Sequence, residues 1–94
     1  MKKSSGEATD VIETLRERRA QYGSFKNVAE ITLTLNRALA KGDSFHTFDE
    51  RTQTALWLIC NKLARLVNGT LKDDTLKDIQ GYIQLIRDAE GEFK

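Results

Sequence analysis

ALWLICNKLARLVNG, residues 55–69, decides how the rest of the chain is read. Ala55, Leu56, Ile59, Leu63, Leu66 and Val67 fall at helical spacing and form a wide apolar band. Trp57 and Leu58 add apolar area on a second side. A helix that is apolar around much of its girth is either the centre of a bundle or a surface for a second copy. Asn68 and Gly69 close it. Cys60 is the single cysteine and lies mid-helix, so no internal disulfide can form. A buried, inert thiol and a cytosolic setting are the expectation.

Working outward, TFDE at 47–50 reads as a Thr-x-x-Glu capping box that starts this helix. Before it, GDSFH at 42–46 is a short turn, so the preceding helix should be an antiparallel neighbour. That helix is expected from about Ser24 to Lys41, with Phe25, Val28, Ile31 or Thr32, Leu35 and Leu39 on its apolar face. Gly42 stands where a left-handed helix end is wanted. Val11, Leu15 and Tyr22, with Ile12 beside them, mark a first helix from about Glu7 that stops at Gly23. A last helix starts near Asp73 or Asp74, where acids suit the positive end of the helix dipole, and runs to about Ala89. Residues 1–6 read as a disordered tail and 7–94 as one helical domain. The expected fold is all-α, a four-helix bundle, dimeric through helix three or four.

Composition narrows the function classes. A chain of 94 residues builds one modest core, so a large active site would need a second copy. The absence of proline favours helices joined by short turns. A net charge of +1 argues against nucleic-acid binding, which needs clustered positive charge. A DNA-binding reading would require Arg16, Arg18, Arg19 and Lys26 on one exposed face. Glu13 and Glu17 interrupt the basic run, which makes i,i+4 ion pairs on a solvated face the plainer reading. No segment approaches the roughly 20 apolar residues of a membrane span, and MKKSSGEATD is not a signal peptide. A cytoplasmic location follows as the expectation.

Few residues are equipped for chemistry. His46 is the one histidine and sits in a turn between phenylalanines, which leaves nucleophilic triads without support. There is no phosphate loop and no zinc-type ligand set. Carboxylates and cations remain. Asp74, Asp78 and Tyr82 lie one helical turn apart, and carboxylates so spaced can hold Mg²⁺. Lys62, Arg65 and Asn68 form a polar line on the third helix. If helices three and four are antiparallel, these cations meet those acids. The same groups then make either an interhelical salt-bridge network, Asp78 with Lys62 or Arg65, or a phosphate and metal site. The discriminator is whether the carboxylates are neutralised or open to a cavity.

Three segments in order carry a resemblance: RAQYGSFKNVAEI at 19–31, ALWLICNKLARLVNG at 55–69 and DDTLKDIQGYIQLI at 73–86. Together they resemble a family of small phage and prophage proteins. The matching positions are Arg18 or Arg19 with Tyr22, Gly23 and Phe25; Lys62, Arg65, Asn68 and Gly69; and Asp74, Asp78, Ile79, Gly81 and Tyr82. The layout is more distantly similar to the all-α nucleotide pyrophosphohydrolases of the MazG-like kind. That resemblance implies an oligomer, a nucleotide substrate and Mg²⁺, with Asp78 and Asp74 as catalytic and metal-binding acids and Glu30 as a further ligand. Lys62, Arg65, Tyr82, Asn68, Tyr22 and Arg19 would then bind substrate. The chain departs from the pattern, because the third helix carries Lys62 and Arg65 where that superfamily has Glu-x-x-Glu. Two readings follow: a nucleotide-handling phage protein in the bacterial host cytoplasm, or a non-enzymatic phage protein that binds and inhibits a host defence component, as an anti-CRISPR does.

Overall fold

The computed structural model describes residues 2–91, with side chains from residue 10 onward. Four helices follow in order: α1 (Lys2–Tyr22), α2 (Phe25–Ala40), α3 (Glu50–Asn68) and α4 (Asp73–Glu90), with a 3₁₀ turn at Phe45–Thr47. No strand occurs among the described residues, so the all-α class holds. Among those residues, no helix is long and apolar enough to cross a membrane.

Side-chain bonds fix the directions. Thr52 Oγ1 near the start of α3 donates to Glu90 Oε2 at the end of α4 at 2.5 Å, and Lys62 meets Asp78 midway. α3 and α4 are therefore antiparallel. Asn61 Nδ2 donates to Thr32 Oγ1 at 3.3 Å, and Asn27 pairs with Asn68, so α2 and α3 are antiparallel too. α3 is central, with extensive contacts to both neighbours. Its buried residues are small: Thr52, Ala55, Cys60 and Ala64. Small side chains let two helices approach α3 closely from different sides. Phe45 closes one end of this body, buried with its ring 5.7 Å from that of Trp57.

Helix ends depart from expectation in instructive ways. Thr47 does not cap α3; its hydroxyl donates to Ser44 O at 2.6 Å within the 3₁₀ turn. Asp49 takes over, accepting from Arg51 N at 2.8 Å. Gly42 is not left-handed, because Lys41 and Gly42 already return their amides to Ala38 and Leu39. Positive φ is confined, among described residues, to Gly23 and Gly91. α1 begins at Lys2, so the tail expected over residues 1–6 is helical from its second residue. With no proline there, only the modest penalty of Gly6 opposes the helix.

The largest departure concerns packing. The Val11–Leu15–Tyr22 stripe marks the helix but does not pack: every side chain from 10 to 21 is exposed and only Tyr22 of the stripe is half-buried. α1 makes few contacts with α2 and α3. Three helices form the body, and α1 extends from it as an arm, giving a molecule 54 Å long and 27 Å across.

Candidate functional site

The arm is fixed at its base by an interlock between two dipeptides. Tyr22-Gly23 ends α1, and Asn68-Gly69 ends α3. Asn68 Nδ2 donates to Tyr22 O at 2.9 Å and to Ser24 O at 3.4 Å, while its Oδ1 accepts from Asn27 Nδ2. Thr70 N donates to Gln21 O at 2.9 Å. The backbones touch so closely that a Cβ on Gly69 would sit 2.1 Å from Gln21 O and 2.5 Å from Tyr22 Cα. A Cβ on Gly23 would sit 2.4 Å from Asn68 O, and Gly23 has φ +79°. Gly23 and Gly69 are thus required by backbone contact, and Asn68 is a structural residue here.

Beside the interlock lies a cleft of about 390 Å³ between α1, the start of α2 and α3. That volume is in the range of small-molecule sites. Arg18, Arg19, Tyr22, Phe25, Asn61 and Arg65 give it its chemistry, over an apolar floor that includes the buried Val28. The Arg65 guanidinium lies over the Tyr22 ring, 4.9 Å from its centre, and Lys72 Nζ is 5.8 Å from the same centre. Such contacts orient a cation without consuming its charge. Among the described residues no acid lines the cleft. Among the described residues no carboxylate pairs with Arg18, Arg19 or Arg65. The cleft is a concave site with three uncompensated guanidinium groups.

The acidic stripe is arranged differently. Asp78 Oδ2 is 2.9 Å from Lys62 Nζ, and Lys62 is the more buried partner, its side chain 18% exposed. Arg65 does not join them. Three residues further along α3 its direction has turned by about 60° from that of Lys62, so one cation faces α4 and the other faces α1. Asp74 is exposed in the first turn of α4, and Glu30 is exposed on α2. Tyr82 lines a second cleft, with Thr54, Ala55, Leu58 and Leu85. Gly81 does not mediate a close helix approach, since a Cβ there would meet open space.

These acids do not gather into a cluster. Among the described residues no group of three or more His, Cys, Asp or Glu side chains is placed to hold one. Asp78 already has its cation. His46 is exposed and sets its ring edge-on to Phe45 at 5.3 Å, a packing role. Cys60 is buried, and burial pushes its thiol pKa up, away from the thiolate a nucleophile needs.

The residues singled out in the sequence therefore divide into groups. Tyr22, Arg19 and Arg65 come together in the cleft; Lys62 and Asp78 pair elsewhere; Asn68 locks the arm; Tyr82, Asp74 and Glu30 stand apart. The resemblance already grouped Arg19 with Arg65 and Tyr22; what it left out is that Arg18 lines the cleft together with Arg19. A signal existed, since they precede Tyr22 by four and three residues and share its side of α1.

Residues 6–90 match the family model described as Domain of unknown function (DUF6378), so the chain belongs to that family. No curated protein and no solved structure matches the chain.

Proposed function

We infer that this protein binds an anionic ligand of the nucleotide class in the α1–α3 cleft, and that binding rather than metal-assisted hydrolysis is its activity. One observation carries the reading: three arginines converge on a cleft where, among the described residues, no acid lines the walls and no carboxylate pairs with them. Arginine presents a planar fork of donors matched to phosphate oxygens, and each such charge-assisted bond is strong. Phe25 at the rim offers an exposed aromatic face on which a base can stack. The resemblance to phage proteins, and more distantly to nucleotide pyrophosphohydrolases, supports a nucleotide over other anions and an accessory role in a phage-infected cell. The missing acidic pair on α3 and the Lys62–Asp78 ion pair support binding without turnover.

Nucleoside triphosphates titrated in the presence of a chelator test this reading. Heat of binding without metal, and no pyrophosphate released when Mg²⁺ is added, is the expected result. Absence of binding for every nucleotide tried would exclude it. The second reading, capture of a host protein, is favoured by the exposed Val11, Ile12, Leu15 and Phe25.

A further inference from the structure

We propose that Tyr22 acts on the bound ligand through Arg65: its ring holds the guanidinium on the cleft side of α3 and keeps it from Asp74. The proposal rests on the cleft being the ligand site. Tyr22 is then a positioning residue, and its ring rather than its hydroxyl is what the site needs.

The ring is placed from the helix that carries its cation. Tyr22 ends α1, and its carbonyl accepts from Asn68 Nδ2 at 2.9 Å. The next residue, Gly23, has φ +79° and lies against Asn68. Asn68 follows Arg65 by three residues, so the lock and the cation share one side of α3. The guanidinium of Arg65 lies 4.9 Å from the ring centre. Lys72, half-buried at the start of α4, brings its Nζ to 5.8 Å from the same centre. A ring that draws two cations is a seat for positive charge and not only a wall of the cleft.

A competing partner stands nearby. Arg65 is in the last turn of α3, and Asp74 is in the first turn of α4. The two helices are antiparallel and joined by residues 69–72, so these turns are neighbours. Asp73 is taken by Lys77 at 3.4 Å, whereas Asp74 has no ion pair among the described residues. An exposed arginine–carboxylate pair and an exposed cation–π contact are of the same order, so a ring already fixed in place decides which way the guanidinium turns. Turned to Asp74, its charge is neutralised within the chain. Turned to Tyr22, it stays open to an anion, because the ring carries no net charge.

Calorimetric titration of ATP, with chelator, into the full chain tests the role. Tyr22→Phe keeps the ring and should bind within about 2-fold of wild type, whereas Tyr22→Leu should bind about 5-fold more weakly. Asp74→Asn should recover most of that loss in the Tyr22→Leu background and change little in wild type. Loss of a direct ligand contact does not produce such non-additivity. Additive effects of the two substitutions would overturn the proposal, as would a Tyr22→Leu protein that binds ATP as wild type does. A second measurement needs neither ligand nor variant. The ring current of Tyr22 should displace the Arg65 Nε–H resonance of ligand-free wild type from those of the exposed arginines, and an Arg65 that resonates with them would overturn the proposal. A wild type that gives no heat with ATP but shows the displaced resonance would instead remove the nucleotide reading, and the ligand role of Tyr22 with it.

Discussion

The three-helix body and the α1 arm differ in sequence and in packing, α1 being the most polar and least amphipathic of the four helices. Each has apolar residues at helical spacing. In the body that pattern is answered within the chain: α3 packs against α2 and α4, and its most buried residue, Ala64, is fully enclosed. In the arm the apolar residues Val11, Ile12 and Leu15 stay exposed, and the helix is held at its base, by backbone contacts at Gly23 and Gly69 and by the Asn68 side chain. Periodicity states which face of a helix wants cover. It does not state whether the cover comes from the same chain.

Breaking the body should cost most. Phe45→Ala removes a buried ring that seals the body against Trp57 and should destabilise the protein by about 4 kcal/mol in denaturant melts. A loss below 1 kcal/mol would show that the 3₁₀ turn is not part of the core. Gly69→Ala should come next, at about 3 kcal/mol, because its Cβ must push backbone rather than a flexible side chain. Its signature should be local. Amide exchange should accelerate at the α1–α2 junction more than in α3 and α4, and uniform acceleration would contradict the division into arm and body.

Much of this was legible in the sequence. Four helices, their approximate limits and the antiparallel order of α2 and α3 followed from spacing, turns and the lack of proline, while antiparallel α3 and α4 entered only as a condition. The Lys62–Asp78 pair was one of two readings offered by residue type, and the structure holds it at 2.9 Å. Three things were not legible. The exposure of Leu15 depends on where α1 is aimed, which the short Gly23-Ser24 connection sets through a positive φ and not through hydropathy. The role of Asn68 depends on carbonyls 44 and 46 residues away in sequence. The choice of Asp49 over Thr47 as the α3 cap was settled by the 3₁₀ turn, which claims the threonine hydroxyl.

That cap gives the smallest effect and a pH dependence. The Arg51 side-chain hydrogen bond holds the Asp49 carboxyl below its ordinary value of 3.8, with the Arg51 backbone amide helping. A carboxyl lowered on folding stabilises the protein above its unfolded pKa, and loses that contribution as pH falls through the folded one. The melting temperature of Asp49→Asn should therefore lie slightly below wild type at neutral pH. The gap should close below about 3.8. A gap that persisted in acid would mean that charge is not what the cap contributes.

The most direct measurement is a calorimetric titration of one nucleoside triphosphate, with chelator, into wild type, Arg19→Ala and Asp78→Ala. Arg19 lines the binding cleft, whereas Asp78 belongs to a structural ion pair. Arg19→Ala should therefore weaken binding by about 10-fold or more through loss of a charge-assisted contact. Asp78→Ala should bind as wild type does, while losing about 1 kcal/mol of stability, because Lys62 is partly buried and left without its partner. Binding that Asp78→Ala abolishes and Arg19→Ala spares would contradict the account and return the acidic stripe to the centre of the function.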